Sequence, residues 1–162
     1  MIEIKEFEKQ HEKGVVDLIL PIQIEEFNIP ITLEGQPDLQ KIPSFYKKNC
    51  GNFWVAVEGS KIVGTLALID IGNNICALRK MFVEKDYRGS KYSIAKKLLT
   101  TMFDWCKKKK VTDVYLGTTS KYHAAHMFYE KNGFDEISKS KLPHIFPVME
   151  VDSKFYKFNF TA

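Results

Sequence analysis

Three runs rich in β-branched and aromatic residues, at 53–57, 62–69 and 75–83, are separated only by Glu58-Gly59-Ser60-Lys61 and by a turn at Gly72-Asn73-Asn74. Gaps this short leave no room for a crossover, so the runs are expected to pair as antiparallel strands joined by hairpins. A helix is predicted next. Ile94, Ala95, Leu98, Leu99, Met102, Phe103 and Cys106 recur at helical spacing on one face, with Lys96, Lys97, Asp104 and Lys107 on the other. Residues 114–116 then read as a short buried strand and 122–131 as a second amphipathic helix. That helix ends at Asn132-Gly133, where glycine accepts the left-handed conformation of a helix C-terminus. Strands are expected again at 134–137 and 155–160.

Ahead of the hairpins, Ile2 and Ile4 alternate with Glu3 and Lys5 as in a half-buried strand. Residues 15–27 carry a helical apolar pattern that Pro21 is expected to kink or interrupt. A polar stretch follows from 28 to 43, with a short helix around 39–46. All six prolines fall either in the N-terminal part (Pro21, Pro30, Pro37, Pro43) or before the last strand (Pro143, Pro147), which marks two irregular loop regions. This succession is a mixed α/β chain. Its 162 residues, 44% hydrophobic, are enough for one core and one domain.

Composition narrows the function classes. The net charge of +4, from 24 basic and 20 acidic residues, suits an anionic ligand but is too small and too dispersed to imply nucleic acid. Cys50, Cys76 and Cys106 are odd in number and lack paired spacing, so neither a disulfide framework nor a zinc site is expected. No apolar run approaches the roughly 18 residues of a membrane span, and the opening residues lack a signal peptide's basic start and apolar core, so a cytoplasmic location is expected. Gly-x-Gly-x-x-Gly and Gly-Lys-Ser/Thr strings, the main dinucleotide and triphosphate signatures, do not occur.

Two segments carry chemistry. The turn Tyr87-Arg88-Gly89-Ser90-Lys91-Tyr92-Ser93 opens directly into the helix at Ile94-Ala95-Lys96. Backbone N–H groups of such a turn, with the positive end of the helix dipole, suit a phosphate. Arg88 adds a planar guanidinium and is one of only two arginines, Arg79 being the other. Further on, Ala124-Ala125 leads to Phe128-Tyr129-Glu130-Lys131-Asn132-Gly133-Phe134. In this order, each followed by a strand-like run, the segments resemble the pyrophosphate-binding turn and the acetyl- and thiol-handling helix of the GCN5-related N-acetyltransferases. The order of elements resembles that family's over nearly the whole chain.

The resemblance implies an acetyl-CoA N-acyltransferase fold: a mostly antiparallel, twisted sheet of about seven strands, helices on both faces, and a splayed parallel pair at the cofactor cleft. It implies acetyl-CoA as co-substrate and no metal. Arg88, Gly89, Ser90, Lys91, Ser93, Ile94, Ala95 and Lys96 would then serve the phosphates. Backbone N–H groups of Met81, Phe82 and Val83 would face the thioester oxygen, helped by a bulge. Tyr122, Ala125, Phe128 and Lys131 would line the cleft from the second helix. The family's turn reads Arg or Gln, two residues, Gly, one residue, Gly or Ala. Anchored on the helix, this chain has Ser90, Ser93 and Ala95 at those three positions, and Arg88 falls two residues earlier. Tyr122 stands where many members carry an asparagine.

Tyr129 occupies the family's usual proton-donor position. A phenol near pKa 10 lies only about 1.5 units from a free thiol, so it can protonate a departing thiolate in a dry site. The acceptor amine must lose a proton before attack. The central strand reads Leu78-Arg79-Lys80-Met81, with no carboxylate where some members place a glutamate. Glu25, Glu26 and Asp38 are the candidates for amine recognition or water-mediated deprotonation, against the alternative of solvated surface charge. Both proline-marked loops are expected to line the acceptor site. His123 and His126 stand three apart on a helix but lack a third ligand nearby, and Lys107 to Lys110 read as a solvated helix end.

Transfer of an acetyl group from acetyl-CoA to a primary amine in a ternary complex, with Tyr129 as general acid, is therefore the expected function. A non-catalytic CoA-binding sensor or interaction module, and a transferase for longer acyl groups, are the alternatives. The acceptor is expected to be a small-molecule or peptide amine, with no nucleic acid or membrane partner, on a monomer or homodimer. Leu142-Pro143-His144-Ile145-Phe146-Pro147-Val148-Met149, with Val151-Asp152 and Phe155-Tyr156 beyond it, is similar to a pattern of one bacterial subgroup whose substrate is unassigned.

Overall fold

In a computed structural model, which describes residues 1–161, the hairpin region forms the middle of a seven-stranded sheet. The strands are β1 (Ile2–Glu6), β2 (Asn52–Glu58), β3 (Lys61–Gly72), β4 (Ile75–Val83), β5 (Asp113–Thr118), β6 (Asp135–Ile137) and β7 (Lys154–Asn159), in the order β1-β2-β3-β4-β5-β7-β6. Every pairing is antiparallel except β4 with β5, which the intervening helix makes a parallel crossover. The helices are α1 (Glu12–Pro21), α2 (Ile42–Tyr46), α3 (Ile94–Lys109) and α4 (His123–Lys131).

Alternation along the central strands sends side chains to two cores. Trp54, Ala56, Leu66, Leu68 and Leu78 meet Ile94, Leu98, Leu99, Met102 and Cys106 of α3 and Tyr129 of α4 on one face. Phe53, Val55, Val57 and Ala67 meet Val15, Leu18 and Ile19 of α1 and Ile42 and Tyr46 of α2 on the other. Each such large apolar side chain contributes about 1.5–3 kcal/mol by leaving water. The helical phase predicted for α3 is the one buried. Pro21, which has no N–H to donate, ends α1, and the chain widens into one π-helical turn over Ile22–Glu26.

Two features of β4 open a site. Thr65 pairs with Phe82 and Ala67 with Arg79, so Leu66 alone faces Lys80 and Met81 across a bulge. Lys80 takes φ 52° there, and its carbonyl accepts a 2.7 Å hydrogen bond from Thr65 Oγ1. The bulge turns Lys80 toward the α2 face beside Arg79, where strict alternation would have put it on the α3 side. Second, β4 pairs with β5 only from Ile75–Asp113 to Ala77–Tyr115. Beyond that, β4 stays with β3 as far as Val83 and β5 stays with β7 as far as Thr118, so the parallel pair splays apart.

Candidate functional site

The splay is the mouth of a cleft of about 830 Å³, walled by β4 residues 78–83, the turn into α3, the end of β5, the first turns of α4 and residues 146–152. Met81, Phe82, Val83, Arg88, Gly89, Ser90, Ser93, Ile94, Ala95, Lys96, Tyr122, Ala125, Phe128, Tyr129 and Lys131 all line it. Lys91 does not; it is exposed, with its ammonium 5.2 Å from the Tyr92 ring.

At the α3 end the turn is closed by the Ser93 N–H donating to the Gly89 carbonyl at 3.2 Å and by Ser93 Oγ donating to the Ser90 carbonyl at 2.9 Å. Ser93, standing where the motif has glycine, takes the left-handed φ of 50° for which glycine is suited. A side chain there costs about 1 kcal/mol, and the Oγ bond offsets part of it. The first backbone bond of α3 runs from the Lys97 N–H to the Ser93 carbonyl at 2.9 Å, and no side chain caps the helix start. The N–H groups of Ile94, Ala95 and Lys96 are thereby left for an anion, with the dipole behind them. Arg88 lies at the rim. Its Nε donates to the Val83 carbonyl at 2.9 Å, while Nη1 and Nη2 donate to Glu26 at 2.5 and 2.8 Å.

Tyr129 points from α4 into the base of the splay. It is 5% exposed, and its ring packs against Phe134 and Tyr156 at 5.5 and 5.7 Å. Among the described residues its hydroxyl takes part in no hydrogen bond, and it lines the cleft. Burial, and secondarily Tyr122, push its pKa up, so it holds its proton at neutral pH. Tyr122 itself is raised to about 12 by burial and by Glu26, and its ring meets Phe27 edge-on at 4.8 Å. Lys121 Nζ donates to the Asn28 carbonyl at 2.9 Å. The segment after α1 thus crosses the cleft, tied at one lip by Glu26 to Arg88 and at the other by Phe27 and Asn28.

The remaining wall is polar. Gln23 and Gln36 exchange reciprocal amide bonds at 3.1 and 2.9 Å, and Lys80 Nζ donates to Gln36 Oε1. Lys80 Nζ is also 3.6 Å from Asp38, which accepts a 2.5 Å bond from the Tyr46 hydroxyl. Burial lowers the Lys80 pKa to about 8 against the pull of Asp38. Asp152 Oδ2 accepts from the Met149 N–H at 2.9 Å. It lies against the Gly117 backbone, where any Cβ would come within 2.6 Å of that oxygen, so a side chain at 117 would push Asp152 away. Of the three acidic residues proposed from the sequence, Asp38 is buried behind Lys80, Glu26 is paired with Arg88, and Glu25 is exposed; none lines the cleft. His126 is buried with Nε2 3.0 Å from the Thr119 carbonyl, and no metal-capable group of three or more ligands occurs among the described residues. No helix among them is long and apolar enough to cross a membrane.

Residues 49–136 match the family described as "Acetyltransferase (GNAT) domain". The chain belongs to the GNAT acetyltransferase family. It is similar to the N-acetylaspartate synthetase of Xenopus tropicalis, 37% identical over 69% of this chain and 41% of the relative. The chain spans about half the length of the curated relatives it matches. A GNAT-family acetyltransferase structure from Staphylococcus aureus Mu50 superimposes with TM-score 0.94 at 42% identity, covering 98% of this chain and 99% of the other. The PaiA N-acetyltransferase of Thermoplasma acidophilum, solved in complex with coenzyme A, shares the fold with TM-score 0.74 at 17% identity, covering 99% of both chains.

Sequence reasoning passed over Gln23, Phe27, Lys80 and Asp152 as members of the GNAT cleft. Lys80 had one available signal, a lysine inside a strand that, Arg79 apart, is otherwise apolar. Gln23 and Phe27 carry no pattern distinguishable from an amphipathic helix end. Asp152 sits in an irregular loop, where only the fold brings it to Gly117.

Proposed function

We propose that this chain moves an acetyl group from acetyl-CoA to a primary amine by direct attack in a ternary complex, with Tyr129 as the general acid. The observation that carries the reading is the Tyr129 hydroxyl, unpartnered among the described residues and lining the same splay as the β4 edge and the bare N-terminus of α3. Coenzyme A bound to a relative of the same fold supports the choice of donor. On this reading the N–H groups of Ile94, Ala95 and Lys96 hold the pyrophosphate, the β4 edge at residues 81–83 stabilises charge on the thioester oxygen, and Tyr129 protonates the thiolate. Burial keeps Tyr129 protonated until that step. A cytoplasmic setting fits the three free thiols.

The test is Tyr129→Phe, read as thiol release from acetyl-CoA over a panel of amines. Loss of a general acid lowers kcat by about 10²- to 10⁴-fold. The hydroxyl makes no hydrogen bond among the described residues, so the free energies of CoA binding and of unfolding are expected to stay within about 0.5 kcal/mol of wild type. Unchanged kcat would remove Tyr129 from the mechanism. Longer acyl-CoAs in the same assay address acyl length, and CoA binding without turnover on any amine would mark a binding module.

A further inference from the structure

Arg79 and Asp152 line the same cleft and have no role in the chemistry assigned above. The Arg79 guanidinium is half-buried, lies over the Tyr46 ring at 5.9 Å and, among the described residues, donates through Nη2 only to the Met149 thioether at 3.4 Å. No carboxylate among the described residues is in ion-pair contact with it. A thioether is a weak acceptor, so this half-buried guanidinium keeps unused donors at the cleft wall. Its neighbour Lys80 is different, because Asp38 and Gln36 already hold it.

Asp152 is half-buried too, and among the described residues its carboxylate takes one hydrogen bond, from the Met149 N–H to Oδ2, which leaves Oδ1 open. Met149 is therefore a partner common to both groups, thioether to Arg79 and N–H to Asp152. Opposite charges are held near one another at the cleft wall without touching. Burial raises the Asp152 pKa, opposed by the Met149 N–H, Arg79 and Lys80.

We infer that the amine acceptor is a zwitterion of the α-amino-acid type, with its carboxylate on Arg79 and its ammonium on Asp152. The inference rests on the acetyltransferase reading above. An α-amino acid carries one charge of each sign, which complements a wall that presents one of each without an ion pair between them. A polyamine would bring only further cations against Arg79, and a neutral amine would leave the guanidinium unpaired. The proton balance closes: ammonium plus acetyl thioester gives N-acetyl amide, free thiol and one proton. Asp152 takes the first ammonium proton and releases it to solvent. As the C–N bond forms and the C–S bond breaks, Tyr129 protonates the sulfur, and the second nitrogen proton restores Tyr129.

The experiment compares thiol release from acetyl-CoA with free α-amino acids and with the α-carboxamide of each. A bidentate, charge-assisted pair predicts a kcat/KM ratio of acid to amide of about 10 to 100 for the best acceptor. Arg79→Met brings that ratio toward one, and Arg79→Lys restores part of it. Amides used as well as acids by the wild type, or a ratio unchanged in Arg79→Met, overturns the inference. The wild-type comparison needs no variant, so it stands even where Arg79→Met folds poorly. Calorimetry with acetyl-CoA separates the two levels. Absence of binding overturns the transferase reading and this inference with it, whereas binding with transfer only to carboxylate-free amines, or to no free α-amino acid, overturns the acceptor assignment alone.

Discussion

Lys80→Met is expected to lose up to about 3 kcal/mol of stability relative to the wild type as the pH is raised from 5 to 7. Lys80 and Asp38 face each other at 3.6 Å with side chains only 7% and 5% exposed. At an effective dielectric of about 20 their attraction is roughly 4–5 kcal/mol, much of it spent on desolvation. Methionine is close in volume and equally unbranched, so the left-handed φ at position 80 costs much the same in both proteins. What disappears is the cation, and Asp38 keeps only the Tyr46 hydroxyl. A buried carboxylate stripped of its cation takes up a proton rather than stay charged.

That uptake caps the penalty. A free carboxyl titrates near 3.9, and each pH unit above it is worth about 1.4 kcal/mol, giving roughly 4 kcal/mol at pH 7 and about 1.5 at pH 5. The sign follows from proton counting: the variant's folded state binds a proton that its unfolded state has lost, so this term grows with pH and vanishes below about 3.9. Wild-type Lys80 titrates near 8 when folded and 10.5 when unfolded, so below pH 8 its buried charge costs the wild type a constant amount, roughly 3 kcal/mol, which methionine relieves; this offsets the Asp38 term at pH 5 to 7 without altering its pH dependence, and it fades as pH rises through that window. Urea unfolding of both proteins at pH 5, 6 and 7 measures the difference, and adding Asp38→Asn to Lys80→Met should recover most of it. A difference between the two proteins that stays constant from pH 5 to pH 7 would refute the charge argument and leave packing or the Gln36 bond as the cause.

Lys110 ends α3 at φ 61°, its N–H donating to the carbonyls of Cys106 and Lys107. Lys110→Gly should therefore stabilise by up to about 1 kcal/mol, less a few tenths for a lost cation at the helix end, and raise Tm by about 2–4 °C in a thermal melt. Arg88 must leave Glu26 to reach a phosphate, so the two residues should move CoA affinity in opposite directions. Arg88→Ala should weaken binding in calorimetry, while Glu26→Gln should tighten it by up to about 5-fold, the worth of a partly exposed pair. Equal affinity in both variants would make Arg88 a turn residue only.

The parts legible in the sequence are those whose cause is local. The hairpins around Gly59 and Gly72-Asn73-Asn74, and the α3 stripe from Ile94 to Cys106, lie where periodicity and turn chemistry put them. The turn at residues 88–93 and the segment at 128–134 led to a cleft because a helix start and a helix face are also local objects. Lys91 falls outside the cleft because the direction of one side chain on a turn is not set by pattern.

Other features depend on pairings between residues far apart in the chain. Insertion of β7 between β5 and β6 joins Asp113 to Asn159 and Asp135 to Lys157, and no short-range signal encodes that order. One extra residue in β4 turns Lys80 to the side where Asp38 waits, reversing the parity on which strand reading depends. Glu26 reaches Arg88, and Asp152 reaches Gly117, only because the sheet carries them there. Sequence alone determined the elements, the family resemblance and the turn that opens into α3, since each is written within a few turns or strands. Tertiary structure alone decided which charges are paired, which are buried, and that Arg79 and Asp152 share a wall, because burial and electrostatics are properties of distances that the chain acquires only on folding.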